Sequence, residues 1–224
     1  MELFLKITLG VCMAMMVGIA VYLLVDIRRR LALRSVYSSD IRDYRFACAL
    51  LKIYYKRALI RSPYLSKILG KVSPRADALL VLRGGIVVIT VLDKPGFYST
   101  PYDNDWTLIN KDKSERIENT LKNSKEYLYA LDSLLLKSGI ECKNIYSIVL
   151  LSDDHAAFDP LYADGVLTGD MLIPYCKKVS SMPSLSMKKR REIKEIILRN
   201  HKMCKSYIEK NVYDPTSSLT QGEK

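Results

Sequence analysis

The sequence predicts an α/β protein: a mixed sheet flanked by helices, preceded by one N-terminal transmembrane helix. Three observations carry this. Residues 7–25 contain no charged side chain. Two strand-type segments, ADALLVLR and IVVITVLD, meet at Gly84-Gly85. A third apolar segment, NIYSIVLLS at 144–152, is separated from them by a long stretch of helical period. The chain has 224 residues, 49% hydrophobic and 26% charged, which is enough to bury a core without disulfides or metals.

The elements follow in order. At about 1.5 Å per residue, the uncharged run spans roughly 30 Å, the hydrocarbon thickness of a bilayer. Arg28, Arg29, Arg30 and Arg34 follow it, and only Lys6 precedes it. This asymmetry predicts a cytoplasmic C-terminal side, with the N-terminus outside the cell membrane. A cleaved signal peptide would instead be shorter, led by basic residues and closed by a small-residue site.

Residues 38–60 are expected to form a helix, with Tyr44, Cys48, Leu51, Tyr55 and Leu59 as its apolar stripe. Residues 76–98 read as a hairpin, with Gly84-Gly85 as its turn and Pro95-Gly96 as a bend beyond it. Residues 106–110 predict a third strand. Residues 114–138 predict a long helix bearing Ile117, Leu121, Tyr127 or Leu128, Leu131 and Leu135 on one side. Residues 144–152 have the apolar character of a strand covered on both faces. A short strand at 166–168, a short helix or turn at 172–178 and a helix over 186–211 complete the order. The last presents Ile193, Ile196, Ile197, Cys204, Tyr207 and Ile208. The expected organisation is an anchor (1–26), a basic juxtamembrane helical segment (27–71), the main domain (72–180), a basic amphipathic helix (181–213) and a disordered tail (214–224).

The net charge of +11 is unevenly placed. Residues 26–70 hold eleven Lys/Arg against three Asp, and 177–224 hold twelve against five acids. Residues 71–176 hold eleven against fifteen. A domain built mainly to grip nucleic acid carries its positive charge on the binding domain itself. Here the charge flanks the domain, which points to anionic lipid as a partner of Arg28, Arg29, Arg30 and Arg34. The five cysteines are scattered without a C-x-x-C pair, and the two histidines are far apart. Neither a disulfide framework nor a zinc site is indicated. Lys188, Lys189, Arg190 and Arg191 crowd the first turn of the last helix, against its dipole.

The ordered series ADALLVLRGGIVVITV, Gly96, Trp106, ENTLKNSKEYLYAL and IYSIVLLSDD resembles the nuclease-related domain, NERD, a branch of the PD-(D/E)xK restriction-endonuclease-like fold. The resemblance covers 76–178, a little under half the chain. It implies a restriction-endonuclease-like sheet and a metal site built from an Asp on the first hairpin strand and a Glu-x-Lys on the second. Asp77 stands at the Asp position, but Thr90 stands at the Glu and Leu92 at the Lys. The family helix carries N-P-x-x-Q and then a His. Here Asn119 is kept, Asn123 replaces the Gln and Tyr127 the His.

Such nucleases hold a divalent cation on hard carboxylate oxygens and use it to activate water. Thr90 brings no charge, Leu92 transfers no proton, and Asp77 alone is a weak Mg²⁺ ligand. The expectation is a domain without a cofactor that binds nucleic acid or a protein partner near the membrane, with Lys122 and Lys125 offered to phosphate. The alternative is a Mg²⁺-dependent nuclease in which Asp93 or Glu118, with Lys94 or Lys122, substitutes for the lost pair. Strand alternation turns Asp93 away from the face shared by Thr90 and Leu92. Ser152-Asp153-Asp154-His155 is expected to be a capped loop. Tyr98, Tyr102 and Trp106 are expected to pack, with base stacking as the alternative.

Overall fold

The computed structural model describes residues 13–28, 31, 44–65, 76–101, 104–111, 113–159 and 164–212, without the side chains of 44–46, 123 and 207–212. The chain divides into two compact units, Met1–Ile41 and Arg42–Lys224.

In the first unit, residues 13–28 form helix α1. Its apolar side chains, among them Met16, Tyr22 and Val25, are each more than half exposed. No helix among the described residues is long and apolar enough to cross a membrane. Residues 7–12 of the expected anchor lie outside the described residues, as do Arg29, Arg30 and Arg34, while Arg28 ends α1 in an exposed position.

The second unit is α/β, with mixed sheets flanked by helices. Helix α2 (Tyr44–Tyr55) leads into strand β1 (Leu59–Arg61). The hairpin follows as β2 (Ala78–Val81) and β3 (Ile86–Leu92). Next come β4 (Gly96–Ser99), β5 (Trp106–Asn110) and β6 (Lys113–Ile117), then helix α3 (Thr120–Lys137) and β7 (Ile145–Leu151). Two short strands, β8 (Ala156–Phe158) and β9 (Val166–Thr168), precede helices α4 (Leu172–Ser181) and α5 (Met187–Val212). The main sheet has the order β1-β2-β3-β7-β9, and a second sheet has the order β6-β5-β4-β8. β1, β2 and β3 pair antiparallel, whereas β7 and β9 join in parallel.

The hairpin turn has two glycines for different reasons. A Cβ on Gly84 would meet the Val179 carbonyl oxygen at 1.9 Å, so α4 docks on bare backbone there. Gly85 takes φ 153°, open to glycine and strained for other residues. One core cluster packs Leu79, Val81, Ile86 and Val88 under Tyr127, Leu131 and Leu135 of α3 and Ile193 and Ile197 of α5. A second gathers Tyr98, Trp106, Leu108, Val149, Leu151 and Val166. All four β2 residues are buried, which explains their unbroken apolar run.

Three sequence expectations need correction. Leu59 is not on the helical stripe. The helix ends at Tyr55, and Leu59 pairs with Leu80, satisfying backbone groups that β2 would otherwise leave open at its edge. Residues 114–118 are not helical, because Lys113–Ile117 folds back on β5 and sets Ile117 opposite Trp106. Lys111, with φ 53°, lies at the bend between these two strands. Pro95-Gly96 opens a strand, β4, rather than a plain bend. The expected tail, 214–224, lies outside the described residues.

Candidate functional site

The hairpin register places Asp77 one residue beyond the Ala78↔Ile89 pair, opposite Thr90. The Asp77 amide donates to the Ile89 carbonyl at 3.1 Å, and its carboxylate Oδ2 accepts from the Val91 amide at 2.8 Å. The side chain thus takes the place of a ladder carbonyl at the strand end. Ser62 completes the edge, donating through its amide to the Asp77 carbonyl at 2.9 Å.

Thr90 faces α3. Its hydroxyl lies 3.4 Å from Ser124 Oγ, and Ser124 Oγ donates to the Thr120 carbonyl at 2.8 Å. A hydroxyl has one proton to give, so Thr90 is the donor of that pair. Leu92 packs against the cluster of Tyr98 and Trp106. The structure therefore brings Asp77, Thr90 and Ser124 to one place, and each is engaged within the fold.

Asn119 is buried and caps α3. Its Oδ1 accepts from the Lys122 amide at 3.0 Å, and its Nδ2 donates to the Asn104 carbonyl at 3.0 Å and the Pro101 carbonyl at 3.4 Å. This is a helix cap that also clamps the preceding loop. Asn123 lies on α3, its side chain outside the described residues. Tyr127 is 2% exposed and donates to the Pro63 carbonyl at 3.2 Å. Burial raises its phenol pKa, so it is a neutral packing residue.

Lys122 and Lys125 are exposed near the start of α3. Lys122 sits about 200° round the helix from Ser124, turned from the hairpin toward solvent. The residues considered above in place of a Glu-x-Lys pair do not converge either. Asp93 and Glu118 are exposed, and Lys94 Nζ is held by both Glu115 oxygens, at 2.7 and 2.9 Å, on the β5–β6 ribbon. Among the described residues no group of three or more His, Cys, Asp or Glu side chains is placed to hold a metal ion. The Val91 amide on the Asp77 carboxylate is a hydrogen-bond donor and not a ligand for Mg²⁺.

Ser152-Asp153-Asp154-His155 is a capped loop: Asp153 Oδ1 accepts from the His155 amide at 2.7 Å, and Ser152 Oγ donates to the Leu92 carbonyl at 3.3 Å. Tyr98 and Trp106 are fully buried and unable to stack on bases; Tyr102 lies outside the described residues. Tyr98 Oη donates to the Lys94 carbonyl at 2.7 Å, and burial followed by the Asp93 charge pushes its pKa up to about 12.

The feature that sequence reasoning reached only in part is at the other end of β2, by Val81. Arg57, Arg190, Arg191 and Lys194 line one groove with Ala58, Val81 and Met187. The crowded basic turn of α5 was its visible signal, and Met187, Arg190, Arg191 and Lys194 follow the i, i+3, i+4, i+7 spacing of one helix face. No family model, curated protein or solved structure matches the chain.

Proposed function

We propose that the chain is a membrane-anchored, non-cutting protein of the nuclease-related, restriction-endonuclease-like class. Its domain faces the cytoplasm and binds nucleic acid or a protein partner beside the membrane. The observation that carries this reading is the engagement of the hairpin. Where a nuclease of this class places a metal-binding carboxylate pair and a lysine, the chain has Asp77 bonded to the Val91 amide, Thr90 bonded to Ser124, and Leu92 packed in a core. Thr90 and Leu92 bring neither the second carboxylate nor the lysine that such a site uses to activate water and offset charge on a phosphorus centre.

Two further features support the anchored part of the reading. A helix that is apolar all round requires burial in protein or lipid, and the side chains of α1 stay exposed. The basic residues follow the apolar run rather than lead it.

The test is cleavage. Full-length protein incubated with supercoiled and linear DNA and Mg²⁺ or Mn²⁺ is expected to leave both intact. Metal-dependent cutting that Asp77→Ala abolishes would overturn the proposal in favour of a rearranged nuclease. DNA association at low salt that weakens steeply as salt rises would select nucleic acid as partner. Its absence would select a protein.

A further inference from the structure

We propose that the groove between α5 and the α2–β1 turn is a binding site for a compact phosphomonoester or diphosphate group. It shares only Val81 with the hairpin and none of Asp77, Thr90 or Leu92, and it does not depend on the reading given to those residues.

Four cations line this groove and no carboxylate does. Arg190, Arg191 and Lys194 come from one face of α5, and Arg57 comes from the turn after α2. None of the four is in an ion pair among the described residues, where the ion pairs are Lys94–Glu115, Arg116–Asp105 and Lys143–Glu141. Holding like charges together without a counterion is unfavourable unless an anion completes the arrangement. The glutamates nearest on α5, Glu192 and Glu195, do not line the groove.

Hydrogen bonding points the same way. Arg190 Nε is buried and has no hydrogen-bond partner. Such a donor is costly to leave unmade, and a turn of the Arg190 side chain onto a phosphate in the groove would satisfy it. Lys194 Nζ donates to the Arg57 carbonyl at 2.7 Å, which fixes the groove's far wall and leaves two of its three protons for a ligand. The helix amides are not the main donors, because Ser186 Oγ already accepts from the Lys189 amide at 3.2 Å. Recognition therefore falls to the side chains, three of them guanidinium forks suited to phosphate.

Size narrows the ligand. The groove holds about 260 Å³, below the roughly 300–1,000 Å³ of clefts that enclose drug-sized molecules. That volume takes a headgroup, whether it belongs to a soluble phosphate ester or to a phosphorylated lipid. Four converging positive charges match a dianion or polyanion better than a single diester charge.

The experiment is calorimetric titration of the full chain, in zwitterionic micelles, with inorganic pyrophosphate. Binding is expected, weakened about tenfold by either Arg57→Gln or Arg191→Gln and less by Arg191→Lys. Lys137→Gln, at the exposed end of α3, should leave it unchanged. Arg57 and Arg191 are both exposed, and circular dichroism melts of the variants should overlay the wild type. A second arm adds a phosphatidylinositol phosphate to the micelles. If apparent pyrophosphate affinity then falls, the natural source is a lipid headgroup; if it holds, the source is a soluble ester. No pyrophosphate binding overturns the proposal, as does binding indifferent to Arg57→Gln and Arg191→Gln or equally sensitive to Lys137→Gln. Displacement of pyrophosphate by duplex DNA at lower concentration also overturns it, by making the groove part of a nucleic-acid surface.

Discussion

The open end of the hairpin, at Asp77, and the α5 groove, at Val81, lie at opposite ends of β2, and they treat polar groups in opposite ways. At the hairpin, the Asp77 carboxylate, the Thr90 and Ser124 hydroxyls and the Asn119 amide all have partners inside the fold. In the groove, cations converge without counterions, and one buried Arg190 nitrogen has no partner at all. The hairpin carries residues that resemble a catalytic series, and the groove resembles no named motif. Spare hydrogen-bonding capacity, rather than residue likeness, separates a surface that can receive a ligand from one that completes a fold.

That contrast can be broken most sharply at Asn119. Asn119→Ala removes a helix cap and leaves loop carbonyls without their donor, and should cost about 2–3 kcal/mol in chemical denaturation. Stability unchanged by this variant would mean that the hairpin side is less committed to the fold than its bonds indicate. Asp77→Ala should cost about 1–3 kcal/mol by orphaning the Val91 amide, while Asp77→Asn, which keeps an acceptor oxygen, should cost less than about 1 kcal/mol. Equal losses for the two variants would show that charge, and not the ladder bond, is what the position needs.

A smaller effect is expected at His201, which stacks on Tyr64 with ring centroids 5.9 Å apart and accepts from the Tyr64 amide through Nδ1 at 3.1 Å. Burial, and then the Lys205 charge, lower its pKa. The unfolded imidazole therefore takes up its proton first. This contribution to stability is fully present above the ordinary value of about 6.5 and is lost as pH falls toward the depressed folded value. Melting temperature should decline on acidification through that window, and His201→Gln should flatten that part of the profile. Smallest of all, Arg57→Gln and Arg191→Gln should change folding stability by no more than about 0.5 kcal/mol. A larger loss at either would make the groove a structural feature after all.

The hairpin, β7, β9 and most of α3 and α5 were legible because each has its own period or unbroken apolar run. Strands β1, β4, β6 and β8 were not. Leu59–Arg61 and Ala156–Phe158 have three residues each, and Lys113–Ile117 is charged and almost wholly exposed. Such segments become strands only because a partner edge is present, and single-sequence patterning does not register that. Asn119 was noticed as part of a resemblance, although an Asn before a helical run is itself an N-cap signal that would have moved the start of α3 to Thr120. The groove was half visible. The basic turn of α5 stood out, but Arg57 lies far away in sequence, and only the fold brings it alongside.

The parallel pairing of β3 with β7, from Ile86↔Ile145 to Leu92↔Leu151, has a kinetic meaning. The β2–β3 hairpin closes over a four-residue turn, whereas the β3–β7 ladder must first close a loop of about sixty residues, at an entropic cost that grows as the logarithm of its length. Contacts of this range slow folding. During synthesis β3 emerges and pairs with β2 well before β7 leaves the ribosome. Its other edge then waits open, a row of unpaired amides and carbonyls of Ile86, Val88, Thr90 and Leu92, until the second half of the chain arrives to cover it.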